Sequence, residues 1–99
     1  MKVVFVCGKF RGANAWDVEN NIRRAEELGF AVAELGAMPM IPHTNTRFFN
    51  GTLTDEFWLA GTTELLKRCD ALITVPNYPD SEGARAEIRY ALDHYIPVF

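Results

Sequence analysis

The residues best suited to do chemistry fall in two short stretches, Gly8-Lys9-Phe10-Arg11-Gly12 and Ser81-Glu82-Gly83-Ala84-Arg85-Ala86-Glu87. The first follows an apolar run and is bracketed by glycines, which let a backbone turn tightly and come close to a ligand. Arg11 adds a planar fork of donors that matches phosphate or carboxylate. A helix start just downstream adds free N–H groups and a partial positive charge. The same residues also fit a plain turn with a solvated arginine, for the stretch is neither a dinucleotide fingerprint nor a Walker loop. In the second stretch, Ser81 and Gly83 open a helix at a second potential anion site. Glu87 lies one turn beyond Gly83 on the same helix face, so a ligand could reach over the bare Gly83 to its carboxylate. Ala84 and Ala91 flank it with small side chains, as suits a carboxylate facing a cleft. The alternative is an exposed Glu87 paired with Arg85 or Arg89.

Both stretches need elements to position them. Val3 to Cys7 is a continuous apolar run of the kind buried on both faces in a parallel sheet. Asn14, with Asp17 three residues later, reads as an N-cap, and Ile22, Ala25, Leu28, Val32 and Leu35 follow at helical spacing to a stop at Gly36. Met38 to Ile41 reads as a second strand ended by Pro42. A polar loop runs from His43 to Leu53 and contains Asn50-Gly51; long loops in small domains tend to carry function. Thr54 can cap a helix to about Cys69, with Trp58, Leu59, Leu65 and Leu66 inward. Ala71 to Val75 is a third strand, followed by the loop Pro76 to Asp80. Ser81 caps a third helix to about His94, with Ala84, Ile88, Ala91 and Tyr95 inward, and Ile96 to Phe99 closes the chain as a strand.

Strict alternation of strand and helix implies an α/β domain spanning 1–99: three layers, flavodoxin- or Rossmann-like, with helices on both faces of a mostly parallel sheet of four to five strands. Ligands of such sheets bind outside the carboxyl ends of the strands. Loops 8–14, 42–53 and 76–82 share that edge. His43 sits there, either touching a ligand or tying a loop. His94, near a helix C-terminus, fits a dipole contact.

The chain has 99 residues and a net charge of −3, which argues against a nucleic-acid polymer or a membrane surface as partner. Cys7 and Cys69 lack metal-ligand spacing and fit buried free thiols in a reducing, cytoplasmic setting. Two histidines without ordered carboxylates make no metal site, and no cofactor is expected. Phe48, Phe49, Phe57 and Trp58 form an aromatic band suited to a lid, a core or a subunit interface. A small sheet with open edges suggests a homodimer or larger homo-oligomer.

The frame of Gly8-x-x-Arg11-Gly12, Asp70 before the third strand, Ser81-x-Gly83-x-x-x-Glu87, Tyr90-Ala91 and Ile96-Pro97-Val98 resembles the nucleoside 2-deoxyribosyltransferase-like superfamily. Small bacterial and phage members also share Asn21-Ile22-Arg23-Arg24-Ala25-Glu26, Pro42-His43 and Asp55-Glu56-Phe57-Trp58. The resemblance implies that Glu87 is the nucleophile of an N-glycosidase or deoxyribosyltransferase acting on a nucleotide or nucleoside. Transferases of the superfamily usually have Asp where this chain has Ser81. Monophosphate glycosidases have Ser, which implies a phosphate cradle of Gly8, Arg11, Gly12, Ser81 and Gly83. Asp80 or Glu82 would then protonate the leaving base, and Tyr78 or Tyr90 would contact the sugar or wall the cleft. Characterised members continue into a further helix and often complete the site from a neighbouring subunit. A nucleotide sensor using the same edge without catalysis is the main competing function; a flavin carrier is weaker, because the first loop lacks a Ser/Thr-rich phosphate pattern.

Overall fold

Strand β1 (Val3–Cys7) alternates its side chains between two cores, and the rest of the fold is arranged around that alternation. In the computed structural model, which describes every residue except Asn50, Phe5 and Cys7 face one side and Val6 the other, all fully buried. On the first side they pack with Leu66, Leu72, Ala84 and Ala91. On the second, Val6 packs with Ala25 and Val75.

Helix α1 (Ala15–Glu34) covers the second face. It starts where Asn14 accepts a hydrogen bond from the Asp17 N–H at 2.9 Å, and it stops at Gly36, whose φ of +91° suits glycine. Ile22, Ala25 and Val32 are buried on its inner side as their spacing predicts, whereas Leu35 falls beyond the last turn and is exposed. Strand β2 (Met38–Met40) pairs parallel to β1, Val3 opposite Met38. Part of the expected polar loop is helical: α2 (Pro42–Asn45) makes one turn, with proline pre-set for its first position. The Asn50-Gly51 pair of that loop lies partly outside the described residues, though Gly51 does have a positive φ.

Helix α3 (Asp55–Lys67) is capped by Thr54 and buries Leu66; Leu59, expected inward, is half exposed. Strand β3 (Ala71–Thr74) pairs parallel to the other side of β1, Cys7 opposite Thr74. A 3-10 turn at Tyr78–Asp80 leads into α4 (Glu82–Asp93), capped by Ser81 at 3.1 Å from the Ala84 N–H. Tyr95, expected on the inner face, instead adopts a left-handed φ of +59° just past the helix and is almost fully exposed.

The sheet therefore has three parallel strands in the order β2-β1-β3, with helices on both faces, rather than the four to five expected. The segment Ile96–Phe99 does lie beside β3, where Leu72 and Thr74 donate to the Pro97 and Phe99 carbonyls, but it makes a single bridge, Leu72 to Val98, and not a strand. The chain builds outward from β1 to β2, then crosses to β3, so the order reverses between β1 and β3. The carboxyl ends of those two strands open on the cleft described below. At the opposite end of the sheet, Asp70 accepts from the Val3 N–H at 2.8 Å and pins the start of β1, far from the cleft. Among the described residues no helix is long and apolar enough to cross a membrane.

Candidate active site

Where β1 ends, Gly8 passes so close to β3 that a Cβ there would sit 2.7 Å from Val75 Cγ2. No side chain fits, which explains the glycine sterically. The loop beyond it is held by two asparagines, Asn21 and Asn77, whose role does not follow from residue type or spacing. Asn21, buried in α1, donates to the Phe10 and Arg11 carbonyls at 3.2 Å each. Asn77 accepts from the Lys9 N–H at 3.1 Å and donates to Asn21 at 3.4 Å. Only the placing of Asn21 in a shared motif hinted at its use.

This loop, α2, α3 and the start of α4 wall a cavity of about 730 Å3, within the range of small-molecule sites. It gathers Gly8, Arg11, His43, Asp80, Ser81, Gly83 and Glu87 from the residues singled out by sequence, together with Glu82 and Tyr90. Two expected members are not brought there. Gly12 turns away and packs on α1, where a Cβ would lie 2.4 Å from Asp17 Cβ; it shapes the helix entry instead. Tyr78 packs against the core under α4 rather than lining the cavity.

Glu87 is half-buried, and no ion pair reaches it among the described residues. Arg85, a possible partner, donates to the Pro79 carbonyl instead. Burial pushes the Glu87 carboxyl up to about 7, and hydrogen bonds from Cys7 and Thr62 partly offset that rise. The Cys7 thiol lies 3.4 Å from Glu87 Oε1; burial first, and the neighbouring carboxylate second, raise it far above its ordinary range, so it stays a protonated donor. Cys7 and Cys69 are both buried and free.

Arg11 is exposed and bonded to Asp55 at the start of α3, 2.8 Å away, which bridges two walls of the cavity. His43 is buried with Nε2 3.1 Å from the Lys9 carbonyl, so that nitrogen carries the proton. Burial lowers its pKa and keeps the ring neutral. Phe10 packs against it, with ring centroids 5.9 Å apart. His43 thus ties α2 to the first loop, and it also lines the cavity. At the mouth, Trp58 stacks on Phe49 and meets the edge of Phe57. His94 lies outside, bonded to the Tyr90 carbonyl in the last turn of α4 as its position led one to expect.

The protein is thus an open parallel α/β domain with a small-molecule cavity at the carboxyl edge of its sheet and a carboxyl group of raised pKa in the wall. It belongs to the family described as Domain of unknown function (DUF7768), whose profile matches residues 2–99. Searches of the curated proteins and of the solved structures returned no match.

Proposed function

We propose that this domain is a small Rossmann-like member of the nucleoside 2-deoxyribosyltransferase-like superfamily that cleaves the N-glycosidic bond of a nucleotide or nucleoside, with Glu87 as nucleophile. The observation that carries the reading is the Glu87 carboxyl itself. It sits in the cavity wall, with no cation paired to it among the described residues, between the loop that follows β1 and a capped helix start. A glutamate held only for structure would ordinarily sit in an ion pair or on an open solvent face. A carboxyl titrating near neutrality in a cleft suits acid–base or covalent work.

In the reaction, the bond between C1′ and the base nitrogen breaks, and its electron pair leaves with the base. The Glu87 carboxylate stabilises the positive charge that develops on the sugar and bonds to C1′. Asp80 or Glu82, both at the cavity rim, supplies the proton that the departing base needs. Water, or a second base, then attacks C1′ and frees Glu87. Ser81 and Gly83 at the start of α4, with Gly8 and Arg11, hold a 5′-phosphate. The partner is a small molecule, and the setting is cytoplasmic.

The test is a screen of nucleosides and nucleoside 5′-monophosphates for release of free base, with Glu87→Gln as control. Release by the wild type, lost by several orders of magnitude in the variant, is the expected result. Binding of a nucleotide with no release from any of them would overturn the enzyme reading in favour of a sensor.

A further inference from the structure

Glu87 touches one side-chain donor, Cys7, and has a second, Thr62, beside it in the cavity wall; each has a backbone acceptor at hand. Cys7 Sγ is 3.4 Å from Glu87 Oε1 and equally 3.4 Å from the Ala84 carbonyl. Thr62, on α3, neighbours Glu87 across the cavity wall, and in this structure its hydroxyl donates to the Leu59 carbonyl at 3.0 Å. A thiol or a hydroxyl has one proton to give. Each can therefore serve either the carboxylate or the backbone, but not both at once.

We propose that Cys7 and Thr62 are positioning residues for Glu87, a cradle that redirects its two protons between the carboxylate and the carbonyls of Ala84 and Leu59. With Glu87 ionised, the thiol and hydroxyl turn toward it. With Glu87 protonated, or bonded to a sugar, the same two donors swing back to the helix carbonyls. Cys7 and Thr62 keep an acceptor in either state, and the O–H of the protonated carboxyl is left to the cavity that Glu87 lines. The inference rests on the reading of Glu87 as the working carboxyl.

The other titratable groups around the cavity are Lys9, Arg11, Asp55, His43, Asp80, Glu82 and Tyr90. Arg11 and Asp55 neutralise each other, and His43 is neutral. None of these groups bonds Glu87 in this structure, whereas Cys7 does.

The experiment follows the Glu87 carboxyl carbon by NMR as pH is changed, in the whole protein labelled at glutamate side chains. Glu87→Gln assigns the signal. Cys7→Ala should raise the titration midpoint by about half a unit to one unit, the size of one lost hydrogen bond to a carboxylate. Cys7→Ser, which keeps a donor, should stay at or below the wild-type midpoint. A merely space-filling Cys7 gives the opposite sign, because the smaller alanine admits water and lowers the midpoint. An unchanged or lowered midpoint in Cys7→Ala would overturn the proposal, as would a rise shared by Cys7→Ser. Should Cys7→Ala not fold, Thr62→Val carries the same expectation: its midpoint rises if the proposal holds and is unmoved if it fails. The titration needs no turnover. A chain that releases no base yet shows these shifts would retain the cradle and lose the glycosidase.

Discussion

Glu87 concentrates a conflict between stability and use. The folded carboxyl titrates near 7 and the unfolded one near 4.5, so the fold favours the protonated form. Its contribution to stability is complete below pH 4.5 and is lost as pH rises through 7. Glu87→Gln removes the buried charge. It should match the wild type in urea denaturation at pH 4 and exceed it by about 1–3 kcal/mol at pH 8. Equal differences at both pH values would show that the carboxyl is not the cause. Turnover should follow the opposite sign. Only the ionised nucleophile attacks, so kcat/KM for base release should rise with pH through about 7, a limb read from initial rates between pH 5 and 9. Sequence placed Glu87 on the right helix face because that follows from a spacing of four residues. It could not supply Cys7 as a partner, because that contact joins the end of β1 to a helix eighty residues on.

At the scale of elements, the first loop and α3 are tied by one exposed ion pair, Arg11 to Asp55. Such pairs contribute little to stability, and this one also occupies the donors a phosphate would use. Arg11→Ala should weaken nucleoside monophosphate binding by about 1–3 kcal/mol while leaving the matching nucleoside unaffected. Asp55→Ala should tighten monophosphate binding roughly two- to fivefold by releasing the guanidinium, as calorimetry would record. Helix starts were legible in the sequence: Asn14, Thr54 and Ser81 each accept from the N–H three residues on, and such caps are local. What was not legible depends on distant partners. Leu35 and Tyr95 fit their helical stripes but fall past the helix ends, in the open. Ile96 to Phe99 has the composition of a strand and does hydrogen-bond along β3, yet its pairing amounts to one bridge, Leu72 to Val98. The sequence leaves Arg11 either an anion donor or a solvated side chain, because nothing near it in the chain announces Asp55.

For the whole molecule, the open question is how its exposed apolar surface is covered. Phe48, Phe49, Leu53, Phe57 and Leu59 are all about half exposed or more; Phe49 and Leu59 line the cavity, and Phe57 meets the edge of Trp58, which lines it too. A patch of this kind is ordinarily an interaction surface. A homodimer closed over this band is the expected assembly, and light scattering at micromolar concentration should give twice the chain mass. Phe48→Glu with Phe57→Glu should return it to a monomer. A monomeric wild type would exclude the assembly.

The cavity wall draws on residues from Gly8 to Tyr90, and the parallel pairing of β1 with β3, which sets Cys7 beside Thr74, brings the carboxyl ends of those strands together beneath the loops that build it. No local piece of chain could keep such a pocket once the rest came apart. Occupancy and the global unfolding equilibrium are therefore linked, and the melting temperature becomes a ligand detector that requires no assumed reaction. A compound at a hundred times its dissociation constant should add about 2.7 kcal/mol, which for a domain of this size raises the melting point by roughly 10–20 °C.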